Sequence, residues 1–73
     1  MEKKLTKNDF RLLEIIKDSS NRKKISERYG SSTFSAKIRM LRNIGYLKEN
    51  RNGVFLTNHG LTKLQENDRA KQN

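Results

Sequence analysis

Ser32, Thr33, Ser35, Ala36 and Arg39 fall in one stretch whose helical repeat gathers Ser32, Ala36, Arg39 and Asn43 on a single face. Hydroxyls donate and accept, a guanidinium carries a planar fork of donors, and a methyl group offers a low apolar contact. Lys37 and Arg42 flank that face, Arg22, Lys23 and Lys24 form a cationic run before it, and Arg51 follows it. This is material for hydrogen bonding and charge neutralisation, and the partner it suits is an anion. Bond-making chemistry lacks its materials. Cysteine is absent and His59 is the single histidine, which excludes thiolate and multi-histidine metal sites. There is no glycine-rich phosphate loop, and Glu14, Glu27, Glu49 and Glu66 are scattered as surface charges would be. Neither enzymatic activity nor a cofactor is expected.

The charge distribution points the same way. The chain has 73 residues with 17 Lys and Arg against 8 Asp and Glu, a net charge of +9. Arg22 to Arg51 holds nine basic and two acidic residues, so this segment carries +7 and the rest only +2. Basic residues can simply keep a small domain in solution, but a field concentrated in one segment favours a polyanionic partner. With 32% hydrophobic residues there is enough apolar material for one compact core. No apolar run approaches the ~20 residues of a bilayer span. MEKKLTKNDF has no apolar leader segment, so a cytoplasmic location is expected, in association with the nucleoid or in a host cytoplasm.

These residues must be held by a small set of elements. Residues 1–5 read as a flexible arm, 6–67 as the folded unit and 68–73 as a polar tail. Thr6 with Asp9 three positions on predicts a capped helix to Asp18. Its apolar arc, from Ile15 through Leu12, Ile16 and Leu13 to Phe10, spans about 220°, wider than one buried stripe requires. Asn21 caps a short second helix, Arg22 to Tyr29, which Gly30 ends. Ser31 and Ser32 offer hydroxyls to cap a third helix, about Thr33 to Ile44, with Phe34, Ile38 and Leu41 on its core face and no acidic residue anywhere along it. Tyr29 and Phe34 could stack on bases, but their spacing assigns them to the core. Asn50-Arg51-Asn52-Gly53 between two β-prone runs predicts a hairpin over 46–57, with Leu47 and Leu56 facing inward. Thr57 caps a last helix from Asn58 to about Asn67, where Gly60 implies close approach of another backbone.

The stretch YGSSTFSAKIRMLRNIGYLKENRNGVFLTNHGLTKL resembles the winged helix-turn-helix domains of small bacterial, archaeal, phage and plasmid transcription regulators, of the MarR/PadR/ArsR-like type. With the first helix included, the likeness covers about residues 6–66. It implies a mainly α fold with a small β-hairpin (α+β): a three-helix core, a two-stranded wing and a C-terminal helix. It implies sequence-specific binding to double-stranded DNA, with the third helix, about 32–44, in the major groove. Ser32, Thr33, Ser35, Ala36 and Arg39 would then meet base edges. Arg22, Lys23, Lys24, Lys37 and Arg42 would meet the backbone, and Arg51 would do so from the wing tip. The hairpin is shorter than in larger relatives of this type, and their long dimerisation helices have no counterpart.

A homodimer is expected from the surplus apolar arc of the first helix and from Met40 and Phe55, read as exposed. No small-molecule ligand and no membrane contact are expected. The alternative is a winged-helix adaptor that binds a polymerase or replication factor. Such an adaptor would more often present aromatics or leucines on the outer face of the third helix, where this chain has small and basic residues.

Overall fold

The computed structural model describes residues 5–71. Residues 1–4 of the expected arm and 72–73 of the expected tail lie outside the described residues. The fold is α+β: four helices and one two-stranded antiparallel hairpin, in the order α1 (Lys7–Asp18), α2 (Arg22–Tyr29), α3 (Phe34–Asn43), β1 (Leu47–Asn50), β2 (Gly53–Leu56) and α4 (Asn58–Lys71).

Local chemistry sets most of the boundaries. Thr6 and Asp9 form a reciprocal capping box at the start of α1: the Thr6 N–H donates to Asp9 Oδ2 at 2.9 Å, and the Asp9 N–H donates to Thr6 Oγ1 at 3.3 Å. Asn21 Oδ1 accepts the Lys24 N–H at 3.1 Å and caps α2. Gly30 closes α2 in the left-handed region, φ 68°, which a side chain would disfavour. The cap of α3 differs from expectation. Thr33 is its N-cap and makes no side-chain cap bond. Ser31 Oγ instead pairs with Thr33 Oγ1 at 2.9 Å and accepts the Thr33 N–H at 3.3 Å, and Ser32 makes no cap bond.

The core gathers one face from each element. Leu12, Leu13, Ile15 and Ile16 of α1 pack with Ile25 and Tyr29 of α2, Phe34, Ile38 and Leu41 of α3, Tyr46 just before β1, Leu47 and Val54 of the hairpin, and Leu64 of α4. Truncating a fully buried leucine such as Leu12 or Leu41 would cost about 2–5 kcal/mol. The wide apolar arc of α1 is accounted for within the chain. Ile15 is buried, and Phe10 and Met40 are packed against the core, as is Leu5, which the expected arm had included. Phe55 is half-buried, so the residues that suggested a dimer are wholly or partly covered by the chain itself.

The hairpin pairs Leu47 with Leu56, Lys48 with Phe55, Glu49 with Val54 and Asn50 with Gly53. Leu47, Glu49, Val54 and Leu56 therefore share a face. Val54 is fully buried and Leu56 only partly so, which makes Val54 the deeper anchor. The turn is tighter than expected, because Asn50 and Gly53 themselves pair and leave Arg51 and Asn52 at the tip. Asn50 Oδ1 accepts the Asn52 N–H at 2.8 Å and braces it. β2 is also fastened to the α1–α2 connection, where the Val54 N–H donates to the Ser20 carbonyl at 2.9 Å.

Thr57 joins β2 to α4. Its hydroxyl donates to the Gly45 carbonyl at 2.6 Å and accepts the Gly60 N–H at 3.1 Å, while its own N–H donates to the Tyr46 carbonyl at 3.1 Å. The backbone of Gly60 sits against Tyr46, as its place in a helix implied: a Cβ there would lie 2.1 Å from the Tyr46 carbonyl oxygen. α4 runs on to Lys71, four residues past the expected end near Asn67, so residues 68–71 of the expected tail are helical.

Candidate nucleic-acid interface

α3 is the element to examine first. Phe34, Ile38 and Leu41 lock one side of it into the core. Thr33 and Ser32 at its start and Ser35, Ala36 and Arg39 along its length are all exposed, as is Asn43. The helix carries no acidic residue. Among the described residues, the Arg39 side chain has no ion pair and no hydrogen bond. Its guanidinium is thus free to address a partner, and the small neighbours leave room for close approach.

The six cations expected to meet the backbone fall into two groups. Lys23 and Lys24 at the start of α2 and Arg51 at the hairpin tip are exposed, with no side-chain ion pair among the described residues. No acid lies in the first turn of α2, so its positive dipole end and these lysines carry the same sign. The other three cations are engaged by carboxylates. Lys37 Nζ lies 2.8 Å from Asp9 Oδ1, and no other donor among the described residues satisfies that oxygen. Lys37, expected to flank the outer face as a backbone contact, instead reaches back to the body of the protein. Arg22 and Arg42 both pair with Glu49: Arg42 Nη1 lies 3.1 Å from Oε1, and Arg22 Nη1 pairs with Oε2. Arg22 also lies over the Phe34 ring, its guanidinium carbon 5.6 Å from the centroid.

Asp9 and Glu49 join the site only through the fold: in sequence Asp9 is a helix cap and Glu49 one of several scattered acids. Burial pushes the Asp9 carboxyl up, but the Lys37 ammonium and the hydrogen bonds from Thr6 outweigh it and hold Asp9 below the usual carboxylate range. The Lys37 amine is raised, chiefly by its hydrogen bond to Asp9 and against some desolvation. A signal for Glu49 did exist: it is one of only two acids in the segment that carries +7.

Tyr29 and Phe34 are buried, with ring centroids 6.3 Å apart, and are core residues rather than stacking platforms. His59 is exposed and stacks on Tyr46 at 4.9 Å. Ile44 is the one large hydrophobic residue well exposed among the described residues. No helix among them is long and apolar enough to cross a membrane. No protein-family model matches the chain, and no curated protein matches it.

Proposed function

We propose that this protein is a sequence-specific double-stranded DNA-binding protein that acts as a transcriptional regulator. α3 is the recognition helix and the hairpin is a short wing. One observation carries the reading: the exposed face of α3 is small, hydroxyl-bearing and free of acid, and Arg39 on it has no ion pair among the described residues. A face of that profile suits the major groove, ~12 Å wide, where arginine grips guanine O6 and N7, serine and threonine address several base edges, and alanine meets a thymine methyl. In this reading Ser32, Thr33, Ser35, Ala36 and Arg39 contact bases. Lys23, Lys24 and Arg51 contact phosphates directly, because no carboxylate among the described residues pairs with them. Arg22 and Arg42 can do so only by leaving Glu49. Lys37 is dropped from the backbone contacts, since Asp9 already holds its charge.

Two copies on a pseudo-palindrome, with recognition helices ~34 Å apart, complete the proposal. The apolar side chains that could have paired the copies are largely covered, so the duplex itself brings them together. The adaptor reading has less support: aromatic residues are prominent among the hot spots of protein interfaces, and among the described residues Ile44 is the one well-exposed large hydrophobic.

Selection of bound duplexes from a random pool tests the function. Recovery of a defined motif is expected, and its symmetry gives the stoichiometry. A pool that stays random over repeated rounds would overturn the proposal.

A further inference from the structure

Arg22 at the start of α2, Arg42 in the last turn of α3 and Glu49 on β1 converge although they lie on three separate elements. Each arginine takes a different oxygen of the one carboxylate. The arginine side chains are 45% and 48% exposed while Glu49 is 23% exposed, so the carboxylate sits inside a fork that opens to solvent. The Arg22 guanidinium also lies over the Phe34 ring. Guanidinium groups bind carboxylate and phosphate oxygens with the same fork geometry. Exposed ion pairs of this kind are weak enough to exchange partners.

We propose that the Arg22–Arg42 fork is a phosphate site of the duplex backbone and that Glu49 is its resident competitor. In the free protein the Glu49 carboxylate occupies the place of a phosphodiester group, and a backbone phosphate seats there by displacing it. This rests on the nucleic-acid reading above and adds to it a residue that opposes binding. Sequence-independent attraction is held down because these two arginines are already engaged. They become available only when the backbone is close enough to compete.

Glu49→Gln tests the idea because it keeps the size of the side chain and removes its charge. With an unchanged melting temperature, the variant is expected to bind a random-sequence duplex roughly 3- to 10-fold more tightly than the native chain at low salt. The slope of log K against log salt should steepen by about one. Adding Arg42→Gln should cancel the gain. A folded Glu49→Gln protein that binds no more tightly overturns the proposal, as does a gain that survives Arg42→Gln.

A second readout needs neither a variant nor a duplex. When inorganic pyrophosphate is titrated into the native protein, the side-chain Nε resonances of Arg22 and Arg42 should move together with one midpoint, because one anion displaces one carboxylate. Independent movement, or none, overturns the fork. A native protein that ignores every duplex would overturn the DNA reading and with it the duplex as the source of the phosphate, while the pyrophosphate titration would still decide whether the fork exchanges Glu49 for a phosphate group.

Discussion

Lys37 Nζ on α3 stands 2.8 Å from Asp9 Oδ1 in the first turn of α1, so one ion pair fixes the third helix to the first. The other oxygen of Asp9 accepts the Thr6 N–H at 2.9 Å. One carboxylate therefore caps α1 and moors α3. Asp9 is 2% exposed, whereas the Lys37 side chain retains 28% exposure. Removing the acid leaves a lysine that can still turn toward water, which limits the damage.

Asp9→Asn should therefore destabilise the fold by about 1–3 kcal/mol at neutral pH, less than the loss of a fully buried partner. The pH dependence follows from the direction of each shift. Asp9 titrates below its unfolded value, so its contribution is present above about pH 4 and is lost as pH falls through the lowered folded value. Lys37 titrates above its unfolded value, so its contribution is complete below about pH 10 and is lost as pH rises through the raised folded value. Denaturant melts across pH should show the native protein and Asp9→Asn converging in acid. A stability gap that does not change with pH would refute the ion-pair account.

Gly60→Ala should destabilise even though alanine is the better helix former. The added Cβ would meet the Tyr46 carbonyl oxygen at 2.1 Å, and that carbonyl is itself held by the Thr57 N–H. Backbone on both sides cannot yield cheaply, and a cost of about 1–3 kcal/mol is expected. Thermal unfolding checks it, and a variant that melts higher than the native chain would contradict the close packing.

Arg39→Ala and Lys23→Ala should separate base reading from phosphate contact. Arg39→Ala is expected to weaken the selected duplex by about 1–3 kcal/mol and to relax preference at one base position. Lys23→Ala should weaken all duplexes alike and reduce the salt slope by about one. Both side chains are exposed, so circular dichroism should find both variants folded. Unchanged site preference in Arg39→Ala would remove that residue from the recognition surface.

Sedimentation should find the protein monomeric alone and two copies on a palindromic duplex. Ile15 is buried and Phe10 and Met40 pack on the core, so no broad apolar face remains among the described residues to hold a free dimer. A stable dimer at low micromolar concentration without DNA would contradict this.

The sequence by itself determined the elements and their order. The Thr6–Asp9 box, the Asn21 cap, the Gly30 terminator and the Thr57 cap each act within about four residues, so the pattern needed to read them is contiguous. The core faces of α1 and α3 were legible for the same reason, since a helix repeats its faces at short range. The exposed face of α3 follows as the complement of its buried one.

Only the tertiary structure decided which charges are free. Lys37 and Arg39 are both cations of the acid-free α3, and Lys23 and Arg22 are neighbours at the start of α2, but Asp9 engages Lys37 and Glu49 engages Arg22, while Arg39 and Lys23 have no ion pair among the described residues. Arg22 and Glu49 are 27 residues apart, and no local period records such a meeting. The burial of Ile15 was hidden in the same way, because the surfaces that cover the wide arc of α1 come from elements elsewhere in the chain. Ion pairing and burial depend on distance in space, and the packing of helices and hairpin is what sets that distance.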